Sequence, residues 1–373
     1  MEKHAFIECV DLVGHACKEF SGERDYISTG AVNVNHIDQS LVRKVDYSSK
    51  PSRANLVVKS GDILFAKMQG TKKTLFVNDE LSKNIYSTGF FAVRPRNNIL
   101  TTECLFYLLT SKTFLDQKDK YCSGATQKAI TKKGLQNITV NLPPIEQQAM
   151  IAKKLEMISN IIKLRKSELT KLDSFVKARF VEMFGDPIRN EKGWCTKALE
   201  AICKLIVDCP HSTPKYTSEN TGFMCIRTSI VKKNRIEWKD IEYISEKEYK
   251  QRIQRKKPEK GDIIYTREGA ILGIAAVIDR DCNVALGQRS MLLSPNKKIC
   301  TSEFLSVAMN FDSFLDKVLK GVSGTASPHI NVGSIKVFKM ILPPIEQQEK
   351  FSSFVHQVDK SKFALMNDII LIT

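Results

Sequence analysis

Two stretches of the chain carry an apolar stripe that advances in alternating steps of four and three. In the first, Ile151, Leu155, Ile158, Ile162, Leu169, Leu172 and Val176 line up, with Arg165 at one seam position. In the second the stripe is Phe351, Val355, Val358, Leu365, Ile369 and Ile372, interrupted by Lys362. Recurrence about every 3.5 residues predicts helices that pair through a coiled-coil seam. Each stretch opens on Pro-Pro-Ile-Glu (Pro143 to Glu146, Pro343 to Glu346). Proline fixes φ for a first turn, and an acidic residue there complements the helix dipole. Gly185 and Pro187 end the first run. A helix over 145–184 would be about 60 Å long at ~1.5 Å per residue. The plainer alternative is two amphipathic helices, each packed on its own domain. Lys153, Lys154, Lys163, Lys166 and Lys171 lie off the seam, and such length with a charged exterior favours a projecting, paired helix.

Outside these runs the pattern is mixed. Leu56 to Lys67 and Asp262 to Arg267 are rich in β-formers and open on Gly-Asp turns. Asp62 and Asp262 are therefore read as turn residues at a strand start rather than as catalytic carboxylates. A helix should follow, capped by Thr101 or Thr102, with Leu105, Leu108, Leu109 and Leu115 on one face. Its counterpart, capped by Thr301 or Ser302, carries Leu305, Met309, Leu315 and Leu319. The expected fold class is α+β. The expected organisation is a domain at 1–144, a spacer helix at 145–184, a second domain at 185–344 and a shorter spacer helix at 345–373.

The two halves are copies. Leu-Pro-Pro-Ile-Glu-Gln-Gln at Leu142 to Gln148 recurs unchanged at Leu342 to Gln348. The same offset of 200 aligns Gly61-Asp62-Ile63 with Gly261-Asp262-Ile263, and Phe114-Leu115-Asp116 with Phe314-Leu315-Asp316. It also sets Pro95 on Pro295, Glu103 and Leu105 on Glu303 and Leu305, and Ser123-Gly124 on Ser323-Gly324. Matches this numerous in one register mark a tandem duplication. Between the anchors the copies diverge: Lys67 to Lys73 faces Arg267 to Gly273 with little in common.

Composition narrows the function classes. With 42% hydrophobic and 26% charged residues the chain reads as globular. No apolar run approaches the ~20 residues of a membrane span, and the N-terminus lacks a signal-like core; the expected compartment is the cytoplasm. Ten cysteines include no Cys-x-x-Cys pair. Cys195, Cys203 and Cys209 with His211 match no common zinc spacing, so free buried thiols are expected and no metal. The net charge of +16 resides in both large domains rather than in a tail. That distribution suits a polyanion, nucleic acid first.

Catalytic readings are weak. Asn141-Leu142-Pro143-Pro144-Ile145 resembles the Asn/Asp-Pro-Pro-aromatic motif of amine methyltransferases, but Leu is inserted, the aromatic is missing and Ile341 replaces Asn in the other copy. Asp116-Gln117-Lys118 would be a fragment of a metal-nuclease set, and its counterpart reads Asp316-Lys317-Val318. Neither a Gly-x-Gly cofactor loop nor a Walker A segment occurs. The rivals to DNA recognition are thus a duplicated scaffold that binds only proteins, or a nuclease or methyltransferase.

Taken together, the two Leu-Pro-Pro-Ile-Glu-Gln-Gln segments, the Gly-Asp-Ile anchors, Met183-Phe184-Gly185-Asp186-Pro187, Gly193-Trp194 and Asp208-Cys209-Pro210-His211-Ser212-Thr213-Pro214 resemble the specificity subunits of type I restriction–modification systems. The resemblance covers nearly the whole chain. It implies two target-recognition domains separated by an antiparallel, pseudo-twofold pair of spacer helices. It also implies double-stranded DNA read as a bipartite gapped site. Two methyltransferase subunits and further restriction/translocase subunits would be partners, and S-adenosylmethionine, ATP and magnesium would belong to them. The second helical run is the shorter, so matched antiparallel register would leave residues 145–156 without partner turns. The first copy also lacks the Gly-Trp lead-in.

Candidate DNA contacts are Lys67, Gln69, Lys72 and Lys73 in the first domain and Arg267 and Arg289 in the second. The Ser-Gly loops add Ser123, Gly124, Thr126, Gln127 and Lys128, and Ser323, Gly324, Thr325 and His329. Small residues let backbone amides approach a phosphate, and amide, hydroxyl or basic side chains supply donors to phosphates and base edges. His211 and Lys215, in a polar loop, rank behind these.

Overall fold

The structure, a computed structural model, describes residues 1–321 and 328–372, the last of these by its backbone only. The chain divides into two compact units, Met1–Ile162 and Lys163–Thr373.

In the first unit a four-stranded antiparallel sheet runs in the order Val10–Val13, Phe90–Pro95, Ile63–Ala66, Thr74–Phe76. Strand residues alternate between faces, and here both faces are covered. Ile63 and Phe65 pack with Phe6, Leu105, Leu109 and Phe114 of the helical side. Leu64 and Ala66 pack with Ile27 and Tyr86 of a second, mixed sheet. Being buried on both faces explains why this strand reads as a continuous apolar run. The expected single helix is two, Thr102–Thr110 and Lys112–Lys120. Ser111 breaks it, its hydroxyl accepting the amide of Phe114 to cap the second.

The second unit repeats this plan. Its antiparallel sheet runs Cys203–Asp208, Ser290–Pro295, Ile263–Thr266, Ala275–Val277. Register is conserved to the residue: Ile63 faces Val93, and Ile263 faces Leu293. Asp62 and Asp262 are turn residues: each carboxylate accepts a backbone amide three residues earlier, Lys59 at 2.8 Å and Glu259 at 2.9 Å. Gly61 and Gly261 before them sit at φ 87° and 91°, where a side chain would be strained.

Helices span Ile145–Phe184 and Ile345–Ile372. Within the second unit they run antiparallel. Arg165 pairs with Asp368, Asp173 pairs with Lys362 at 2.7 Å, and Phe175 meets Phe354 with ring centres 5.0 Å apart. Arg165 and Lys362, the polar breaks in the two stripes, thus reach carboxylates on the opposite helix. Leu169, Leu172, Leu365 and Ile369 are half-buried, and Val176, Phe351, Val355 and Val358 are buried. Ile162 and Ile151 are half-buried. Leu155 and Ile158 differ from expectation: each is 37% exposed, although the stripe runs through them. The side chain of Ile372 lies outside the described residues.

The first helix ends as its sequence suggests. Gly185 adopts φ 76°, and the Trp194 indole donates to the carbonyl of Phe184 at 2.9 Å. Phe180 and Phe184 are fully buried against Phe304 and Phe351. Thr101 caps its helix, accepting from Cys104. Thr301 does not; its hydroxyl is bonded to Ser352 instead.

Candidate nucleic-acid interface

The loop that leaves Ile63–Ala66 is joined to two other segments by main-chain bonds. Lys67 donates to the carbonyl of Gly89 at 2.9 Å, Ile130 donates to Lys67 at 2.9 Å, and Gln69 donates to Lys128 at 3.0 Å. Residues 67–73 therefore lie beside 88–89 and the hairpin Cys122–Ser123/Ala129–Ile130. Every residue from Ser123 to Lys128 is exposed at the tip of that hairpin. Gly124 is required there, because at φ 134° a Cβ would stand 2.5 Å from the carbonyl oxygen of Gln127.

The same joint recurs in the second unit. Arg267 donates to Arg289, Ile330 to Arg267 and Gly269 to Pro328, at 3.1, 2.8 and 3.1 Å. Glu268 bridges His329 as Met68 bridges Ala129. All four relations repeat at an offset of 200. Ser323, Gly324 and Thr325 lie outside the described residues.

Side chains divide into tethered and outward-facing. In the first unit Lys67 donates to the carbonyl of Thr88 at 2.7 Å and sits 4.3 Å over the Phe91 ring. Its burial, helped by the charge of Lys132, pushes its pKa down. Lys73 donates to the carbonyl of Thr29 at 2.7 Å, and Gln69 donates to that of Asp119 at 3.0 Å. Lys72, Thr126, Gln127 and Lys128 are exposed, and neither lysine is ion-paired among the described residues.

In the second unit Arg267 departs from its expected place at the surface. It is 6% exposed, its guanidinium 2.9 and 3.2 Å from the carboxylate of Asp208 and 2.6 Å from Glu268. A buried cation with two carboxylate partners is a tie within the protein. Asp208 also lies 3.1 Å from the imidazole of His211, which is exposed. Arg252, likewise buried, donates to the carbonyl of Ser212 at 2.8 Å and pairs with Glu248. Thr213 reaches Gln288 at 3.2 Å. These ties hold the 208–213 loop beside the joint.

The parts played by Arg252 and Gln288 were not foreseen, because Ser212 and Thr213, which they reach, are far away in sequence; Asp208 was read only as part of a motif, since Arg267 lies 59 positions on. Arg289 is exposed at φ 71°, with its guanidinium beside Gly269. A non-glycine residue in that region is uncommon. Lys215 is exposed without an ion pair among the described residues.

The ten thiols are all free, and Cys9, Cys17, Cys203, Cys209, Cys225 and Cys300 are buried. Burial pushes Cys203 and Cys225 up to about 12. Among the described residues no helix is long and apolar enough to cross a membrane.

The family model described as the type I restriction modification DNA specificity domain matches the chain twice, over residues 12–174 and 191–372. The chain belongs to that family. Relatives that the chain resembles are specificity subunits of type I restriction enzymes. A specificity subunit of the type I restriction enzyme MjaVIII from Methanocaldococcus jannaschii is 24% identical over 326 residues, 83% of this chain and 75% of that protein. Two solved structures share the fold. One, from work on complex assembly and conformational transition of the type I R-M system, has a TM-score of 0.56 and 21% identity, covering 100% of this chain and 94% of its own. The other, a specificity subunit from M. genitalium, has a TM-score of 0.51 and 14% identity, covering 100% and 92%. The family's two-domain plan accounts for the offset of 200 and for the joint that occurs once in each unit.

Proposed function

We propose that the chain reads a bipartite, gapped DNA site, one half with each unit, and docks methyltransferase subunits to which restriction/translocase subunits add. The observation that carries this reading is the repeated main-chain joint with different side chains facing outward. One presents Lys72, Thr126, Gln127 and Lys128. The other presents His211, Lys215 and Arg289. Basic groups bind phosphates whatever the sequence, whereas amide, hydroxyl and guanidinium groups at base edges discriminate. Two frames alike in backbone and unlike in surface fit two unlike half-sites. S-adenosylmethionine, ATP and magnesium would then be held by the partner subunits.

Selection from random-sequence duplex DNA by the purified full chain, at several fixed salt concentrations, tests this. Enrichment of two short motifs at a constant spacing is expected. Binding without any enriched sequence overturns the reading and favours a protein-binding scaffold.

A further inference from the structure

The loop at 67–73 is gripped from beneath by two adjacent side chains of the helix Lys112–Lys120. Lys118 is only 1% exposed; its ammonium donates to the carbonyl of Met68 at 2.8 Å and lies 2.8 Å from Oδ1 of Asp119. Oδ2 of Asp119 accepts the amide of Gly70 at 3.0 Å, and the main-chain carbonyl of Asp119 accepts the side-chain amide of Gln69 at 3.0 Å. Thr71 closes the turn by donating to the same Met68 carbonyl at 2.6 Å.

A buried ammonium is costly unless fully paired, so a plain packing role would favour an apolar pair. The other copy has uncharged residues there, the first buried and the second 46% exposed. At the offset of 200 stand Val318 and Leu319, and there Leu272 of the loop packs against the core while Leu315 lies close to Gly273. The scaffold therefore folds without the charged clamp, and the clamp belongs to the first loop alone. Its two side chains fix the main chain on either side of Gln69, at Met68 and Gly70, and so set where that residue's side chain leaves the loop. One side-chain N–H of Gln69 is spent on the main-chain carbonyl of Asp119, and its exposed Oε1 has no partner among the described residues.

We propose that Lys118 and Asp119 are positioning residues that hold Gln69 for base recognition. Gln69 then presents an acceptor to a base bearing an exocyclic amine, adenine or cytosine, in the half-site read by the first unit. This rests on the DNA-reading function proposed above and names a specificity determinant within it. An acceptor fixed in advance discriminates because it loses little freedom on binding.

The test is base-preference profiling of the full chain on randomised duplex DNA at one salt concentration. Wild type, the double variant Lys118→Val/Asp119→Leu, and Gln69→Leu are compared. The double variant copies the second unit and leaves no buried charge unpaired. Gln69→Leu replaces an exposed side chain and removes its bond to the main-chain carbonyl of Asp119, leaves no buried charge unpaired, and keeps the test sound should the double variant fold poorly. Both variants should lose about tenfold discrimination for adenine or cytosine at one position of one half-site. The other half-site and the salt dependence should not change, which a loss of structure alone would not spare. Unchanged preference in Gln69→Leu, or in a folded double variant, overturns the proposal while leaving the DNA-reading function intact. Absence of any selected sequence for wild type removes that function, and the proposal with it.

Discussion

Gln148 accepts the main-chain amide of Thr101 at 2.9 Å, and its own amide donates to the carbonyls of Ile99 and Pro143. Two hundred residues on, Gln348 makes the same three bonds, to Thr301, Ile299 and Pro343. Both side chains are fully buried. Each glutamine thus staples the first turn of a long helix to the loop that precedes a domain helix. This gives the last residue of the repeated Leu-Pro-Pro-Ile-Glu-Gln-Gln segment a physical reason to be identical in the two copies.

Replacing Gln348 by Ala should cost about 2–3 kcal/mol, because buried backbone groups lose their partners. Urea denaturation followed by tryptophan fluorescence would show it, since Trp194 packs on the core of the same unit. A loss well below 1 kcal/mol would mean that water replaces the amide.

Lys72→Ala and Lys128→Ala should weaken binding to all DNA sequences alike. Each should reduce the slope of log affinity against log salt by about one. Arg289→Ala should instead relax preference at one half-site by ~1–3 kcal/mol. Titrations over a salt series with matched and scrambled duplexes separate the two behaviours.

Charge reversal tests the antiparallel helix pair. Lys362→Glu should destabilise the second unit by about 1 kcal/mol, since its partner Asp173 is largely exposed and such pairs are weak. Adding Asp173→Lys should recover most of the loss in a double-mutant cycle. No recovery would place these groups apart.

Thiol titration should find Cys195 reactive in the folded protein, while Cys203, Cys225 and Cys300 react only on unfolding. Burial pushes the Cys203 and Cys225 thiols up to about 12, well above the ordinary thiol range near 9.0. The unfolded chain therefore releases these protons first. Their contribution to stability is complete below about pH 9 and declines as pH rises toward 12. Denaturation midpoints from pH 8 to 11 should fall, and fall less in a Cys203→Ala variant.

Regular spacing and literal recurrence made the long helices and the duplication readable from the residues alone. The direction of helix pairing was not readable, since a stripe has no polarity; the bonds from Arg165 and Lys362 to the opposite helix supply it. Leu155 and Ile158 show the limit of a stripe in another way, for apolar spacing names a face without saying what covers it. At the candidate interface the segments named from the sequence lie together in the structure, but Arg267 is buried where an exposed residue was expected. A lone basic residue in a loop reads as solvent-exposed, and Asp208, which buries it, lies 59 positions away. Lys118 was read only as part of a nuclease-like fragment, because the carbonyl it bonds is 50 positions away.

The joint that assembles each interface is made almost wholly of peptide groups. Amides and carbonyls are common to nearly every amino acid, so the exposed side chains of Lys72 or of 126–128 can be exchanged without undoing the connection beneath them. Changes of taste at this surface are thereby uncoupled from changes of architecture. A lineage can try new preferences one substitution at a time while remaining folded.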